Sequence, residues 1–263
     1  AGRHYLEKQG KSPGVPEDEL IRMAVRSLGL NDVVAFEPEK KVIEYQVREP
    51  GPALVGMTLR AFADELSMDS PAPGGGSVAA LCGALSAGLS AMVANLTVGK
   101  KGYEAVCGEM IAAAVAAQAL KDYLLEAVDR DTRAFNKVME AFRLPKTTPE
   151  QAGEKARAIE AANKDATIVP LEVLEKAVDA VGLARIAAAK GNRNSLSDAG
   201  VAGLAAQAAG EAAYDNVLIN LGGIKDGKFA DQVRRRASAA RKTLEKEGRA
   251  VREIVAKALA GPQ

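Results

Sequence analysis

The sequence predicts an all-α protein: a multihelical bundle with a long buried central helix, preceded by a short α/β segment at the N-terminus. Three observations support this prediction. Aromatic residues are only 4% of 263, Trp is absent and Ala and Gly abound, a composition typical of closely packed helices. No charged residue occurs from Ser70 to Gly99. Beyond residue 57, apolar residues recur at spacings of three and four, the period of helices with one buried face.

The overall composition excludes several classes of protein. Apolar residues at 48% and charged residues at 26% are the ordinary globular mix, which excludes disorder along the whole chain. Lys and Arg number 35 against 34 for Asp and Glu, so no nucleic-acid partner is expected. One histidine (His4) and two cysteines (Cys82 and Cys107) leave almost nothing for a zinc site or a Ser-His-Asp triad, and no metal is predicted. Because the thiols are few and no basic-then-apolar leader opens the chain, we expect a cytoplasmic protein.

The first fifty residues differ from the rest. A proline and three acidic residues open a helix that Gly29 is placed to end. The alternation from Lys41 to Val47 predicts a short strand. Glu49-Pro50-Gly51-Pro52 would break any regular element and is interpreted as a linker. We therefore divide the chain into residues 1–52 and 53–263.

The charge-free stretch is long enough to cross a bilayer. Its small residues gain little from transfer into lipid and no aromatic belt flanks it, so we expect no membrane span. Ala79, Gly83, Ala87 and Ala91 recur every four residues and would allow a second backbone to approach closely. We predict a central helix buried in protein on all sides. If its partner is a second copy of the chain, the protein is an obligate oligomer.

Five further helices are predicted beyond residue 57, separated by turns rich in Gly, Pro and Asn. They are a short helix capped by Thr58, a long helix over about 103–142, a helix between the loop at 144–150 and the turn at 191–195, a helix to Leu221, and a basic amphipathic helix to the end. Pro170 must kink or break the third of these, because proline cannot donate to the carbonyl ladder. Ser197 is expected to cap the fourth.

Asp131 is the most informative residue for function. The apolar stripe of the long helix passes through Leu124, Val128, position 131 and Phe135, so Asp131 lies where a core residue is expected. Burial raises the pKa of a carboxyl group toward the range useful for proton transfer. The alternative is a structural hydrogen bond or ion pair to a neighbouring helix. Asp129 lies off the stripe and is expected to be solvated.

Four other groups could bind a ligand, and each has a structural alternative. The glycine run before Ser77 would let backbone N–H groups approach an anion, or would simply form a turn. The asparagines at 216 and 220 could contact a ligand or be satisfied within the core. The remaining groups could be turn, capping or helix-dipole chemistry. The candidates are Gly74, Gly75, Gly76 and Ser77; Asn216 and Asn220; Asn192 with Ser197 and Asp198; and Lys100, Lys101 and Tyr103.

Seven stretches together resemble the cyclodeaminase domain of formiminotransferase–cyclodeaminase. They lie in the family's order within roughly residues 57–260. They are Ala72-Pro-Gly-Gly-Gly-Ser-Val-Ala-Ala80, Leu96-Thr-Val-Gly-Lys-Lys101, Val128-Asp-Arg-Asp-Thr-Arg-Ala-Phe135, Arg143-Leu-Pro-Lys-Thr-Thr-Pro-Glu150, Gly191-Asn192 with Ser197-Asp198, Asn216-Val-Leu-Ile-Asn-Leu221, and Asp231-Gln232. The leading segment, from Tyr5 to Tyr45, resembles the last part of the formiminotransferase domain that precedes cyclodeaminase in the bifunctional protein. Because most of that domain is missing, we assign it no transferase activity.

The resemblance implies an all-helical homodimer or higher oligomer that converts 5-formiminotetrahydrofolate to 5,10-methenyltetrahydrofolate and ammonia, in one-carbon metabolism and histidine degradation. It implies that Asp131 is catalytic and that Gly74 to Ser77, Asn192, Ser197, Asp198 and Asn216 bind the substrate. Lys100 or Lys101 would meet the glutamate tail of a folate, possibly polyglutamylated, and no metal or redox cofactor is required. The alternatives are a methenyltetrahydrofolate cyclohydrolase and, from another class, a non-catalytic helical dimerisation module.

Overall fold

The computed structural model describes residues 1–32, 34–46 and 54–260, and every regular element among them is helical. The α-helices are α1 (Gly2–Lys8), α2 (Glu17–Ser27), α3 (Pro38–Lys41), α4 (Ile43–Gln46), α5 (Leu59–Leu66), α6 (Gly75–Asn95), α7 (Cys107–Arg143), α8 (Pro149–Lys190), α9 (Leu196–Leu221) and α10 (Gly227–Leu259). Three single 3-10 turns, Leu54–Gly56, Glu104–Val106 and Arg193–Ser195, precede α5, α7 and α9. The prediction of an all-α multihelical bundle is confirmed.

Helix α6 is central to the bundle and packs against α7, α8 and α9. Its small residues permit this, since a side chain at Gly83 would meet both Leu124 of α7 and Ala209 of α9. Helix α9 runs antiparallel to α6, because the start of α6 lies beside the end of α9. The outer side of α6 stays uncovered in the single chain, where Leu85 is 56% exposed. The prediction that this helix is buried on all sides is therefore wrong for one protomer.

The length and composition of α6 would allow it to cross a membrane, and it is the one such helix in the described part of the chain. Of its most apolar window, 61% is buried against the rest of the protein. Core helices of soluble proteins have the same character.

Helix α8 continues through Pro170, so of the two predicted outcomes, a kink or a break, the break does not occur. Proline has no N–H, which leaves the carbonyl oxygen of Ala166 without its usual partner one turn earlier. The side-chain amide of Asn220 on α9 donates to this oxygen at 2.8 Å. The backbone group freed by proline is thus satisfied from a neighbouring helix.

Side chains begin several of these helices as their sequences predict. The Oγ1 of Thr58 accepts from the N–H of Ala61, and the carboxylate of Asp226 accepts from the N–H of Phe229. Ser197 does not cap α9, because the helix already begins at Leu196 and Ser197 lies exposed in its first turn.

The N-terminal segment packs on the bundle rather than forming a core of its own. The carbonyl oxygen of Gly14 accepts from Nδ2 of Asn95 at 2.8 Å, and a side chain at Gly14 would collide with Ala114 of α7. The predicted strand from Lys41 is wrong: residues 38–41 and 43–46 are short helices, and Val47 lies outside the described residues. The predicted linker at 49–52 also lies outside them, and the division at residue 52 stays a prediction.

Candidate active site

The Asp131 carboxylate lies against the first turn of α6. Its Oδ2 accepts a hydrogen bond from the hydroxyl of Ser77 at 3.1 Å, and the same hydroxyl is 2.9 Å from the carbonyl oxygen of Val128. Ser77 is the third residue of α6, and its side chain is fully buried. This contact joins α7 to the N-terminus of α6, where backbone N–H groups and the helix dipole favour a negative charge.

Burial raises the pKa of Asp131 above its ordinary value. Hydrogen bonds from the hydroxyl and the backbone N–H of Ser77 oppose the rise, because they favour the ionised form. No cation pairs with the carboxylate among the described residues. Its neighbour Arg130 turns to the other side of α7, where its guanidinium binds Glu172 at 2.6 Å. The carboxyl group is thus kept available to take or give a proton.

The close approach of Asp131 to α6 requires glycine at position 76. A Cβ atom there would lie 2.1 Å from Oδ1 and 2.6 Å from Cγ of Asp131, closer than van der Waals contact permits. The backbone of Gly76 is ordinary helix, so the requirement is space rather than conformation. The glycine run therefore serves to bring the helix terminus up to the acid.

Asp131 opens into a cavity of about 310 Å³ at the end of the bundle. The loop and first turn at 71–76 form one wall, with α7, α8 and α9 around the rest. Phe135 and Val138, one and two turns along α7 from Asp131, supply apolar surface. The polar side chains are the carboxylate and the three amides of Asn163, Asn216 and Asn220. A mixed lining of this kind suits a flat heterocycle that carries hydrogen-bonding edges.

The three amides are fixed by backbone carbonyl groups. Asn216 donates through Nδ2 to the carbonyl oxygen of Ala212 at 2.8 Å, and Asn220 holds that of Ala166. Asn163 donates to the carbonyl oxygen of Gly223 at 3.2 Å. In the described part of the chain, the Oδ1 atom of each amide has no hydrogen-bond partner. Three acceptors are thus held in place on the wall of the cavity.

The structure separates the predicted site residues into two groups. Gly74, Gly75, Gly76, Ser77 and Asn216 surround Asp131 as expected. The other group lies at the far end of α6. This helix has 21 residues with a rise of 1.5 Å each, so the two ends are about 30 Å apart. The far group consists of Lys100, Lys101, Asn192, Ser197 and Asp198. The expectation that Asn192 and Asp198 line the same pocket as the glycine run and Asn216 is wrong within a single chain, because α9 runs antiparallel to α6.

The far group has its own structural chemistry. Lys100 donates through Nζ to Oδ1 of Asn192 at 2.7 Å, and the N–H of Asn192 donates to the buried hydroxyl of Thr97 at 2.8 Å. The phenol of Tyr103 accepts from the N–H of Arg193 at 3.0 Å. These bonds join the turn after α6 to the turn before α9.

Asp129 is buried rather than solvated, against the sequence-based prediction. Only 8% of it is exposed, and its Oδ1 accepts from the backbone N–H of Leu54 at 2.6 Å. A hydrogen bond to a residue 75 positions away cannot be read from the period of one helix. Asp129 fixes the segment that leads into α5, a structural role.

Sequence reasoning missed Asn163, Phe135 and Val138 as parts of the site. The sequence pattern identified Phe135 only as part of the apolar stripe and did not single out Val138, and both line the cavity. The sequence did contain a pattern that could have identified Asn163. This residue lies three positions before Ala166, which in turn lies four before Pro170, so all three share one face of α8.

A larger groove of about 810 Å³ lies between α7, α8 and α10 and contains no predicted site residue. Its charged side chains are paired: Arg185 with Glu247 at 2.7 Å and Lys176 with Asp179 at 2.9 Å. It offers no free acid, base or nucleophile comparable with Asp131.

The fold and the site together define the class of protein: an all-helical bundle with a pocket at one end, in which a partly buried acid lies against a glycine-rich helix start. A profile described as formiminotransferase-cyclodeaminase matches residues 58–239, and one described as the formiminotransferase domain matches residues 1–48. The chain belongs to the formiminotransferase-cyclodeaminase family.

Individual relatives agree with this assignment. The formimidoyltransferase-cyclodeaminase of Mus musculus is 36% identical over 241 residues, which are 91% of this chain and 44% of that protein. The methenyltetrahydrofolate cyclohydrolase of Methylorubrum extorquens is 41% identical over 175 residues, 66% of this chain and 84% of that protein. The crystal structure of a formiminotetrahydrofolate cyclodeaminase from Thermotoga maritima superposes with a TM-score of 0.69 at 30% identity, covering 77% of this chain and 98% of that one. The chain spans less than half the length of the mouse protein.

Proposed function

We propose that the chain closes the ring of 5-formiminotetrahydrofolate to give 5,10-methenyltetrahydrofolate and ammonia, with Asp131 as general acid and base. The names of the similar mouse and Thermotoga maritima proteins support this reaction class. The observation that carries the proposal is the position of Asp131: half-buried, without a cation, and facing a cavity with fixed amide acceptors.

The reaction needs a proton to move between two nitrogen atoms. N10 of the folate attacks the formimino carbon, and the bond from that carbon to the departing nitrogen breaks once the nitrogen is protonated. The formimino group reacts in its protonated amidinium form, so its nitrogen already carries two hydrogens. The Asp131 carboxylate takes the proton of N10 and delivers it to this nitrogen, which departs as ammonia and leaves the methenyl cation. A raised pKa favours this exchange, because it makes the carboxylate a stronger base toward the proton of N10. In its ionised form it also stabilises the cationic methenyl product.

The other wall residues would position the pterin ring. The run from Gly74 to Gly76 brings backbone against the ligand, and the amide of Asn216 offers an acceptor for ring N–H groups. Ser77 would orient Asp131 rather than contact the substrate, since its hydroxyl is fully buried. The proposal requires no metal or redox cofactor.

The test is an Asp131→Asn variant supplied with formiminotetrahydrofolate, with the methenyl product followed by its near-ultraviolet absorbance. Loss of the proton shuttle should lower kcat by about 10²- to 10⁴-fold. Asp122→Asn, on the exposed side of the same helix, is the matched control and should keep full activity. Unchanged turnover by a folded Asp131→Asn protein would remove Asp131 from the mechanism and favour a non-catalytic dimerisation module.

A second candidate is methenyltetrahydrofolate cyclohydrolase, favoured by the Methylorubrum extorquens relative, of which the chain covers 84%. The two reactions share the methenyl folate and differ in whether ammonia or water is the partner. Supplying methenyltetrahydrofolate and following its disappearance measures the hydrolysis. The formiminotransferase-like segment at residues 1–48 supports the deaminase, since a fused transferase would deliver the formimino substrate.

We also propose that a second copy of the chain covers the outer side of α6, making a homodimer or a higher oligomer. Helix α6 carries no charge, and Leu85 and Met92 on it and Leu96 at its end are exposed, as is Leu204 of α9. Apolar area of this extent is costly to leave in water. Light scattering that finds a stable folded monomer at micromolar concentration would contradict the proposal. A cytoplasmic location without membrane insertion stays a prediction.

A further inference from the structure

A second cavity, which we call the basic pocket, adjoins the Asp131 cavity and has a volume of about 250 Å³. Three lysines line it: Lys146 from the loop between α7 and α8, Lys155 from α8, and Lys225 from the loop before α10. Lys146 belongs to the stretch at 143–150, to which the proposed reaction gives no role. The basic pocket therefore needs an account of its own.

The charge of the basic pocket is positive. Lys155 donates to the carbonyl oxygens of Phe142 and Leu144 at 2.7 and 2.8 Å, so it closes the end of α7 while keeping its charge. One carboxylate is present, that of Glu160, and it accepts from the backbone N–H of Lys225 at 3.1 Å and from that of the next residue. In the described part of the chain, neither Lys146 nor Lys225 forms an ion pair through its ammonium group. The basic pocket thus contains three lysine ammonium groups and one carboxylate, and that carboxylate already accepts hydrogen bonds from two backbone N–H groups.

The two cavities share a wall. Asn163 lines the Asp131 cavity and donates to the carbonyl oxygen of Gly223, which lines the basic pocket. Helix α8 runs past both, from Ala166 in the first to Ala156 in the second. Ten residues at 1.5 Å give about 15 Å along the helix. A p-aminobenzoyl group bridges part of this distance, and the glutamate residues attached to it can extend over the rest.

We propose that the basic pocket binds the carboxylates of the substrate's glutamate tail through the ammonium groups of Lys146 and Lys225. This inference rests on the proposed function, which places the pterin ring at Asp131. The p-aminobenzoyl group holds the glutamate tail away from the ring nitrogens, and the basic pocket lies farther along α8 from the Asp131 cavity, where the tail would extend. Lys100 and Lys101, where the sequence predicted tail binding, lie at the opposite end of α6.

The test compares monoglutamyl and pentaglutamyl substrates with Lys146→Gln, Lys225→Gln and the double variant. Loss of two cation–carboxylate contacts should raise KM for the pentaglutamate by about five- to twentyfold, with kcat unchanged. The effect on the monoglutamate should be smaller. The wild-type protein should have a lower KM for the pentaglutamate than for the monoglutamate, and added salt should reduce this difference. Lys242→Gln, which removes an exposed charge on α10, is the matched control and should leave both KM values unchanged.

An equilibrium measurement separates this inference from the catalytic proposal. p-Aminobenzoyl-pentaglutamate has the tail but no reacting ring, and its binding can be followed by calorimetry. The Lys146→Gln/Lys225→Gln protein should bind it more weakly than the wild-type protein does. The Asp131→Asn protein should bind it as tightly as the wild-type protein does, whether or not Asp131 is catalytic. Unchanged binding by the double lysine variant, or a loss with Lys101→Gln alone, would overturn the basic pocket as the tail site.

Discussion

Asn220 on α9 donates its side-chain amide to the backbone carbonyl oxygen of Ala166 on α8, the one that Pro170 leaves free. Both residues line the Asp131 cavity. A proline inside a helix lowers its stability. In the 42-residue α8, however, Pro170 also frees a carbonyl oxygen that accepts a hydrogen bond from the neighbouring helix. The bond fixes the separation of α8 and α9 where they form the cavity wall.

The dependence of this bond on proline can be measured with a double-mutant cycle. Asn220→Ala should lower the free energy of unfolding by about 1 to 2 kcal/mol, because the Ala166 carbonyl loses its partner. In a Pro170→Ala background the N–H of residue 170 can take that role, and the cost of Asn220→Ala should fall by about 1 kcal/mol. Urea denaturation of the four proteins supplies the comparison.

Asn216→Ala is the control for this cycle. Asn216 donates to the carbonyl oxygen of Ala212 on its own helix. Asn216→Ala should therefore lower the free energy of unfolding by the same amount with proline or alanine at position 170. Equal costs for Asn220→Ala as well would show that Pro170 and Asn220 act independently.

The spacing of apolar residues predicted the helices and the burial of Asp131, because both depend on the sequence of a single segment. The caps at Thr58 and the helix start at Pro149 follow from the same local rules. The burial of Asp129 and the separation of Lys100 from Asp131 depend on how helices pair in space, which no single helix encodes. The site was therefore predictable at its acid and its glycine loop, but not in the amide contributed by Asn163.

The raised pKa of Asp131 makes stability depend on pH with a definite sign. Between the unfolded and folded pKa values the folded state holds more protons, so the free energy of unfolding falls as pH rises through that range. Asp131→Asn removes this dependence. The variant should gain stability relative to wild type as pH rises from about 4 toward neutrality, the unfolded pKa being about 3.9. Thermal unfolding at several pH values measures the difference; a constant difference across the range would contradict it.

The hydroxyl of Ser77 tunes Asp131 in a direction that can be tested. Its hydrogen bond favours the ionised carboxylate, so Ser77→Ala should raise the pKa of Asp131 further. The limb of the pH–rate profile that reports Asp131 should move to higher pH, with a loss of about 1 kcal/mol in stability from the lost bonds.

Ser90→Ala is the matched control for Ser77, since Ser90 is buried on the same helix and donates only to its own turn at Ser86. It should leave the profile in place. A shift to lower pH in Ser77→Ala would mean that the hydroxyl stabilises the neutral acid instead.

Glycine at position 76 is required by the acid, since the three atoms nearest to a Cβ there all belong to the Asp131 carboxylate. Gly76→Ala should keep the fold, because alanine favours helix, but should push the carboxylate away from Ser77. Misplacement of a proton-transfer group by about an ångström should lower kcat/KM by about 10- to 100-fold. Steady-state kinetics and circular dichroism of the same preparation separate activity from folding.

Gly182→Ala in α8 provides the contrast, because a Cβ there would have no atom within 4 Å. It should raise stability by about 0.5 to 1 kcal/mol without changing kcat/KM. In an Asp131→Asn background, Gly76→Ala should cost no further activity, because the group it displaces has already lost its function. An additional loss in that background would mean that the glycine loop acts on the substrate directly, and that its approach to Asp131 follows from that contact.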